Sequence, residues 1–407
     1  MLFRLSVLPI AAPLTLITSL ATPYFYFSGL PLHLSVLFLV ISAILMVAKS
    51  GITFGWLFLI IAPLCLPLLA DLLGGLLYGH QMAYNTLWAG VPLSLFFTAF
   101  WVFYNMDIDW IYVFRIVFVL SAMMIAFSIF HFSFLGQEIL HAVGFIPDHR
   151  LDVLSRYLML VAPIGNPNNN ALIAALLAIG VSISIGRLSL SGFGLAFLSL
   201  LFLSLCLVVY FGYARTVMVG FVLAFIAVVI MLISDSEIQK KKRLLISIVG
   251  VSAVLSLALT LFLSQGRGAV YFGTVLHAGS DASFLARFEF WRSLSGWLMD
   301  FPLYLFIGAG WYRVEAVGWH GGGVVDSSYW FLVLQFGLIV TAMIIVFGVR
   351  LLLRAPQMLP WLILLAVSAV NLAFISDLRL AILVGGILGL VYTAELGRYG
   401  RRGKPRS

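Results

Sequence analysis

The stretch "SGFGLAFLSLLFLSLCLVVYFGYARTVMVGFVLAFIAVVIMLIS", residues 191–234, decides the fold class. It contains two apolar runs, at 190–211 and 216–233, with Arg215 at the turn between them. Each run has roughly the 20 residues that a helix needs to cross the hydrocarbon core of a bilayer. Arg215 is the only charged residue between Arg187 and Asp235. The stretch therefore predicts two antiparallel membrane-spanning helices with an arginine at their turn.

The composition of the whole chain also indicates a membrane protein. Of 407 residues, 63% are hydrophobic and 9% are charged, and a soluble fold could not hide that much apolar surface. We predict an all-α, polytopic integral membrane protein with about 12 transmembrane helices in a single domain, 1–407. The predicted spans are 5–27, 31–48, 51–72, 87–105, 110–132, 169–186, 190–211, 216–233, 244–264, 329–349, 356–376 and 378–396.

The placement of lysine and arginine predicts the orientation. The "KKKR" run at 240–243 and the basic tail at 397–407 mark the cytoplasmic side by the positive-inside rule. An even number of spans then puts both termini in the cytoplasm. The net charge of +8 lies mainly at span ends and in the tail, which favours membrane lipids over nucleic acid as the partner.

The basic residues predicted on the outer face are all arginines, and lysine is absent there. A guanidinium group binds phosphate as a planar fork, whereas an ammonium group acts as a point charge. This pattern predicts an anionic, phosphorylated ligand, although an arginine at a helix end can also serve as a snorkelling anchor. The outer arginines are Arg150, Arg156, Arg215, Arg267, Arg287, Arg292, Arg313 and Arg379.

Two long outer loops, 133–168 and 265–328, are of a length that is usually functional. In the second loop, apolar residues at helical spacing predict an amphipathic helix on the membrane surface that ends near Asp300 and Pro302. Arg287 and Arg292 lie on this helix and point about 140° apart. We therefore expect one to bind a lipid phosphate and the other to face a central cavity.

The sixth span begins with a polar segment, "SRYLMLVAPIGNPNNN", at 155–170. Asparagine and proline here are consistent with a capped helix start. A helix N-terminus also attracts anions, so Arg156 and Asn168 are candidate substrate-binding residues.

The segment "HGGGVVDSSYW", 320–330, leads into the tenth span. His320 and Asp326 are the groups here that could act as a base; the alternatives are a solvated loop histidine and an N-cap carboxylate. Tyr329 follows as a candidate substrate contact. No HxxxH or HExxH pair, P-loop, serine elbow or DxD motif is present in the sequence, so no metal or nucleotide cofactor is expected.

These pieces, in their order, resemble the O-antigen polymerase and ligase superfamily. The resemblance rests on the arginine and "NPN" span entry, "ARTVMVGF", "ARFEFWRSL" with "LFIGAGW", and "DSSYWFLVLQFGLI", and it covers about 155–340. It implies a metal-independent, GT-C-like glycosyltransferase in the bacterial inner membrane, with its active site at the periplasmic face. Arg215 resembles the arginine of the family's "SRT"-type motif, and Arg287 the arginine that opens the large-loop helix. "DSSY" replaces the ligases' histidine–asparagine pair, which favours the polymerase branch.

The resemblance implies transfer of a growing glycan from undecaprenyl pyrophosphate to a repeat unit on the same carrier. Arg215 and Arg287 would stabilise the leaving pyrophosphate, and Asp326 would orient or deprotonate the acceptor hydroxyl. Membrane lipids and a chain-length regulator are the further partners implied. The residues expected to bind substrate are Arg156, Asn168, Arg292, His320 and Tyr329.

Other functions are also compatible with this topology. A ligase would transfer finished glycan to lipid A core or to protein. A lipid-linked oligosaccharide flippase should carry charges inside its spans, and this chain has almost none there apart from Arg115. A peptidoglycan polymerase of the shape and division type shares the topology and the lipid carrier, but less of its sequence pattern is present.

Overall fold

The computed structural model describes residues 2–27, 30–79, 86–133, 135–146, 160–188, 191–212, 214–234, 282–309, 327–370, 372 and 376–402. Its elements are α1 (Leu2–Ala21), β1 (Phe25–Phe27), β2 (Leu30–Leu32), α2 (Leu34–Ser50), α3 (Phe54–Tyr78), α4 (Thr86–Tyr104), α5 (Trp110–His131), α6 (Gly136–Ala142), α7 (Pro167–Arg187), α8 (Gly192–Phe211), α9 (Arg215–Ser234), α10 (Ala282–Asp300), α11 (Pro302–Ile307), α12 (Ser328–Arg354), a 3-10 turn (Pro356–Met358), α13 (Leu359–Ser368) and α14 (Leu378–Arg402).

The regular secondary structure of the described residues is helical apart from one short antiparallel hairpin, β1–β2. Eleven of the twelve predicted spans overlap described helices, and the span predicted at 244–264 lies outside the described residues. The span predicted at 356–376 is too long, because its helix ends at Ser368. The prediction that the first span continues to residue 27 is wrong. Helix α1 ends at Ala21 because Pro23 disfavours the helical conformation of the residue before it.

Seven of the described helices are long and apolar enough to cross a membrane: Phe54–Tyr78, Trp110–His131, Pro167–Arg187, Gly192–Phe211, Thr216–Ser234, Ser328–Arg354 and Leu378–Gly397. Four shorter apolar helices occupy other predicted spans, at Leu8–Ala21, Leu34–Ser50, Gly90–Tyr104 and Pro356–Ser368. This pattern is that of a multi-pass membrane protein. The total of twelve spans stays a prediction.

Helices α7 and α14 form the centre of the bundle. In the most apolar segment of each helix, 94% of the residues of α7 and 83% of those of α14 are buried. The corresponding share in the other five long helices is 33–44%. Small residues allow this close packing. A Cβ atom on Gly389 of α14 would lie 2.6 Å from the carbonyl oxygen of Phe100 on α4. The surrounding helices leave apolar residues exposed on one side, as helices facing lipid do.

The bundle has two ends with different chemistry. We call the end where α1 finishes and α2, α7 and α14 begin the Arg379 end, because the Arg379 guanidinium donates there to the Pro163 carbonyl. We call the opposite end the Arg354 end, after the last residue of α12. There Arg187 forms an ion pair with Glu395, with 3.3 Å between Nη2 and Oε1.

Helix α12 is interrupted at Gly337, which has a positive φ of 73°. The short helix α11 packs against this break, and the Ala309 amide donates to the Leu334 carbonyl at 2.6 Å. Gly308 also has a positive φ, of 87°. A Cβ on either glycine would overlap the backbone of the other segment. The break falls within the tenth predicted span, 329–349. Irregular backbone is tolerated at such depth because it is buried against protein.

Candidate functional site

Five of the eight predicted site residues have side chains that the structure does not describe. Arg156, His320 and Asp326 lie outside the described residues. Arg215 is the first residue of α9 and Arg287 lies within α10, so only their backbone positions are described. The roles assigned to these five residues therefore stay predictions.

The starts of α7 and α9 lie next to each other at the Arg379 end. The Leu160 amide donates to the carbonyl of Phe211, the last residue of α8, at 3.2 Å. A Cβ on Gly212, in the turn that leads into α9, would lie 2.8 Å from the Pro167 carbonyl oxygen. The backbone of Arg215 thus begins a helix beside the first turn of α7.

The start of α12 is tied to the end of α13. The Ser328 amide donates to the Ala369 carbonyl at 2.8 Å, and the Ser328 hydroxyl donates to the Leu372 carbonyl. The Ser327 hydroxyl donates to the same Ala369 carbonyl at 3.3 Å. Ser327 is the residue that follows Asp326 in the sequence.

Helix α9 packs antiparallel to α13. A Cβ on Gly220 would lie 3.2 Å from the Leu364 carbonyl oxygen and 3.2 Å from the Val367 Cβ. Because the two helices run in opposite directions, the start of α9 and the end of α13 lie at the same end of the bundle. The first turns of α7, α9 and α12 therefore all lie at the Arg379 end.

Two of the asparagines at the start of α7 are structural. Asn166 caps the helix, and its side-chain oxygen accepts from the Asn168 amide at 2.9 Å. The Asn170 side chain donates to the Leu160 carbonyl at 3.1 Å and accepts from the Ile164 amide at 3.1 Å. The half-buried Asn168 side chain forms no hydrogen bond with any described residue. Among these three residues, Asn168 is the one with an amide group open to a ligand.

Arg379 is also structural, although the sequence places it among the outer arginines that suggest an anionic ligand. Its side chain is 4% exposed, and its guanidinium group donates to the carbonyls of Pro163 at 3.3 Å and Ile164 at 2.6 Å. It also lies 4.3 Å over the Tyr24 ring. Arg379 therefore does not support the expectation of an anionic ligand, because its two Nη atoms donate to backbone carbonyls.

A polar cluster around Arg379 joins the α1–α2 connection to α14. The Tyr24 hydroxyl donates to the Asp377 carboxylate at 3.1 Å, and burial raises the pKa of Tyr24 above its usual range. His33 Nε2 donates to the Thr22 carbonyl at 2.9 Å, and Nδ1 accepts from the Ser35 amide at 3.2 Å. Burial lowers the pKa of His33 to about 4, so the imidazole is neutral at pH 7.

Asp71 is a buried carboxylate that sequence reasoning missed. The predicted span ends at residue 72, but α3 continues to Tyr78, so Asp71 lies about two turns inside the helix and is 2% exposed. It lies near Tyr304 of α11, and a Cβ on Gly74, one turn further along α3, would overlap the Tyr304 hydroxyl. The signal in the sequence was a lone acidic residue in the apolar run "LPLLADLLGG", 66–75.

The other two described candidates lie on helix surfaces. The Tyr329 hydroxyl donates to the Ala366 carbonyl at 2.7 Å, and its side chain is 41% exposed. Arg292 is exposed on α10, whose residues Leu294 and Leu298 are buried. The helix predicted to end near Asp300 is therefore confirmed, and its position on the membrane surface stays a prediction. Among the described residues, no three or more potential metal ligands lie together.

Comparisons of the chain with protein-family models, curated proteins and solved structures find no match.

Proposed function

We propose that the protein is an O-antigen polymerase, a lipid-linked glycosyltransferase of the bacterial inner membrane. The resemblance over 155–340 supplies the reaction class. The observation that supports it is the common position of three helix starts. The "NPN" entry begins α7, the "ARTVMVGF" piece begins α9 and "DSSYW" leads into α12, all at the Arg379 end. Pieces far apart in the sequence thus meet where one reaction could use them.

The distribution of charge supports a periplasmic Arg379 end. Four basic side chains at the Arg354 end are exposed: Lys49, Arg115, Arg350 and Arg354. By the positive-inside rule such residues favour the cytoplasmic side. We therefore assign the Arg379 end to the periplasm and both termini to the cytoplasm.

In the proposed reaction, a hydroxyl of the acceptor repeat unit attacks the anomeric carbon of the donor glycan. The bond to undecaprenyl pyrophosphate breaks, and the pyrophosphate leaves with the bonding electrons. Arg215 and Arg287 are suited to stabilise the negative charge of the pyrophosphate. One guanidinium group can donate two parallel hydrogen bonds to two phosphate oxygens. Arg215 begins α9, and the positive end of this helix dipole also favours an anionic leaving group. Asp326 would orient the acceptor hydroxyl or accept its proton.

The substrates would be held by groups around these helix starts. Asn168 offers a free amide beside the start of α7, and Arg292 offers an exposed guanidinium on α10. Arg156, His320 and Tyr329 are proposed as further glycan or phosphate contacts. No cofactor enters the proposal, and a chain-length regulator is the proposed protein partner.

The glycan profile of a deletion strain tests the proposal. Loss of a polymerase should leave a single repeat unit on the lipid A core. Arg215→Ala and Arg287→Ala should reproduce that profile at normal membrane levels of the protein. Arg115→Ala is the matched control, because Arg115 is an exposed arginine at the opposite end, and it should restore long chains.

The same profile separates the alternatives. A ligase deletion would leave long polymer on undecaprenyl pyrophosphate and none on the core. A flippase deletion would leave no repeat units on the periplasmic side. Long chains of normal length in Arg215→Ala or Arg287→Ala would remove those arginines from the proposed mechanism.

A further inference from the structure

A cavity of about 590 Å³ opens at the Arg354 end, between α3, α4, α12 and α14. Most of its lining residues are aromatic or aliphatic. It lies at the opposite end of the bundle from the starts of α7, α9 and α12. Its role is therefore separate from the reaction proposed above and does not depend on it.

Aromatic side chains hold the wall of the cavity in place. The ring centroids of Trp56 and Phe100 are 5.8 Å apart, those of Phe100 and Phe347 are 5.0 Å apart, and those of Tyr104 and Tyr392 are 5.7 Å apart. Phe100 and Tyr392 are 0% and 3% exposed. The contacts link residues of four helices, so the cavity is formed before any ligand binds, as small-molecule sites usually are.

Two arginines lie at the rim of the cavity. Arg350 and Arg354 are one helical turn apart on α12, so their side chains leave the same face of the helix. The Tyr392 hydroxyl lies beside Arg354, with Arg350 in electrostatic range. None of the described lining residues is acidic, and neither arginine forms an ion pair within the described part of the chain. Within the described residues, the rim therefore presents two positive charges without a counter-ion.

We propose that this cavity binds one anionic phospholipid, with an acyl chain against the aromatic wall and the phosphate between Arg350 and Arg354. Paired guanidinium groups match phosphate oxygens, and the volume falls in the range of small-molecule sites. Near the mouth, Phe58 and Val346 are 48% and 63% exposed, so an acyl chain can enter from the bilayer. A zwitterionic lipid would bring its own cation close to the two arginines, which favours a net negative headgroup.

Native mass spectrometry of the purified full-length protein in detergent tests this site. The probes are dioleoyl phosphatidylglycerol and dioleoyl phosphatidylcholine, which have the same acyl chains and differ in headgroup charge. Wild type should bind phosphatidylglycerol at least about tenfold more tightly, because two basic side chains attract its anionic headgroup. The double variant Arg350→Gln/Arg354→Gln should lose this preference.

The matched control is Lys49→Gln/Arg115→Gln. It removes the same number of positive charges at the same end, from exposed residues that do not line the cavity, and it should keep the preference. Equal binding of the two lipids by wild type would overturn the proposal. An equal loss in the control variant would also overturn it, because general surface charge would then explain the binding.

A second variant tests the acyl-chain position without changing any charge. Ala342 lines the cavity, so Ala342→Trp should fill it and weaken phosphatidylglycerol binding about tenfold. Ala122→Trp, at an exposed alanine of α5 outside the cavity, should bind as wild type does. Unchanged binding by Ala342→Trp would show that the lipid does not enter the cavity and would contradict the proposal.

Discussion

At the residue scale, Arg379 fixes a loop. It donates to the carbonyls of Pro163 and Ile164, and it packs over Tyr24. Arg379→Gln leaves these buried groups without their charged partner, and we expect a loss of about 3 kcal/mol in the free energy of unfolding. Thermal unfolding in detergent measures the loss. Arg292→Gln, at an exposed arginine, should change it by less than about 0.5 kcal/mol.

Arg379→Lys distinguishes a structural role from ligand binding. Lysine keeps the charge but not the planar fork, so we expect intermediate stability. A variant with the stability of wild type but no activity would assign Arg379 to the substrate instead.

His33 predicts a dependence of stability on pH. Its pKa is about 4 in the folded state, because burial disfavours the charged form, and about 6.5 in the unfolded state. Between about pH 4 and pH 6.5, the His33 imidazole is therefore protonated more readily in the unfolded chain than in the folded protein. The stability contribution is complete above about pH 6.5 and falls by up to about 3 kcal/mol as the pH drops to 4.

His33→Asn removes this titration, so the slope of stability against pH between about 6.5 and 4 should become shallower. His141→Asn, at a half-buried histidine of α6, serves as the control and should keep the slope. Identical slopes in wild type and His33→Asn, measured by thermal unfolding at each pH, would exclude His33 as the cause.

At the element scale, the break in α12 depends on Gly337. Its φ of 73° is strained for any residue with a side chain, and a Cβ there would overlap the backbone next to α11. We expect Gly337→Ala to lower the free energy of unfolding by about 2 kcal/mol or more, through strain and loss of α11 packing. Gly348→Ala is the control in the same helix. A Cβ at Gly348 meets nothing within 4 Å, so its stability should rise slightly or stay unchanged.

Thermal unfolding of both glycine variants tests the role of the break. Equal stability of the two variants would mean that α12 can straighten at Gly337 without cost. A selective loss in Gly337→Ala would show that α11 and the break stabilise each other.

The helices themselves were predictable, because apolar runs of spanning length are a local property of the sequence. The interruption at Gly337 was not, since glycine is also tolerated within helices and the break depends on backbone contacts with α11. The same limit applies to the site. The residue type of Arg379 does not reveal that its partners are carbonyls at 163 and 164, and the spacing of the asparagines does not reveal that Asn166 and Asn170 are the ones that hold the start of α7.

At the scale of the whole molecule, the proposed orientation can be tested with single cysteines. Cys65 and Cys206 are replaced first, because both are native thiols. Lys49→Cys and Glu138→Cys then place a thiol at an exposed position at each end. A membrane-impermeant maleimide added from the periplasm should label residue 138 and not residue 49. The reverse pattern would put the Arg379 end in the cytoplasm and contradict the proposed site.

We propose that this bundle joins lipid-linked repeat units at its Arg379 end. The direct measurement is chain extension by the purified protein in proteoliposomes, supplied only with undecaprenyl-pyrophosphate-linked repeat units and a metal chelator. We predict a ladder of lipid-linked glycans that lengthens with time, is lost in Arg215→Ala and persists in Arg115→Ala. Repeat units that stay single, or that move only when lipid A core is added, would contradict the polymerase assignment.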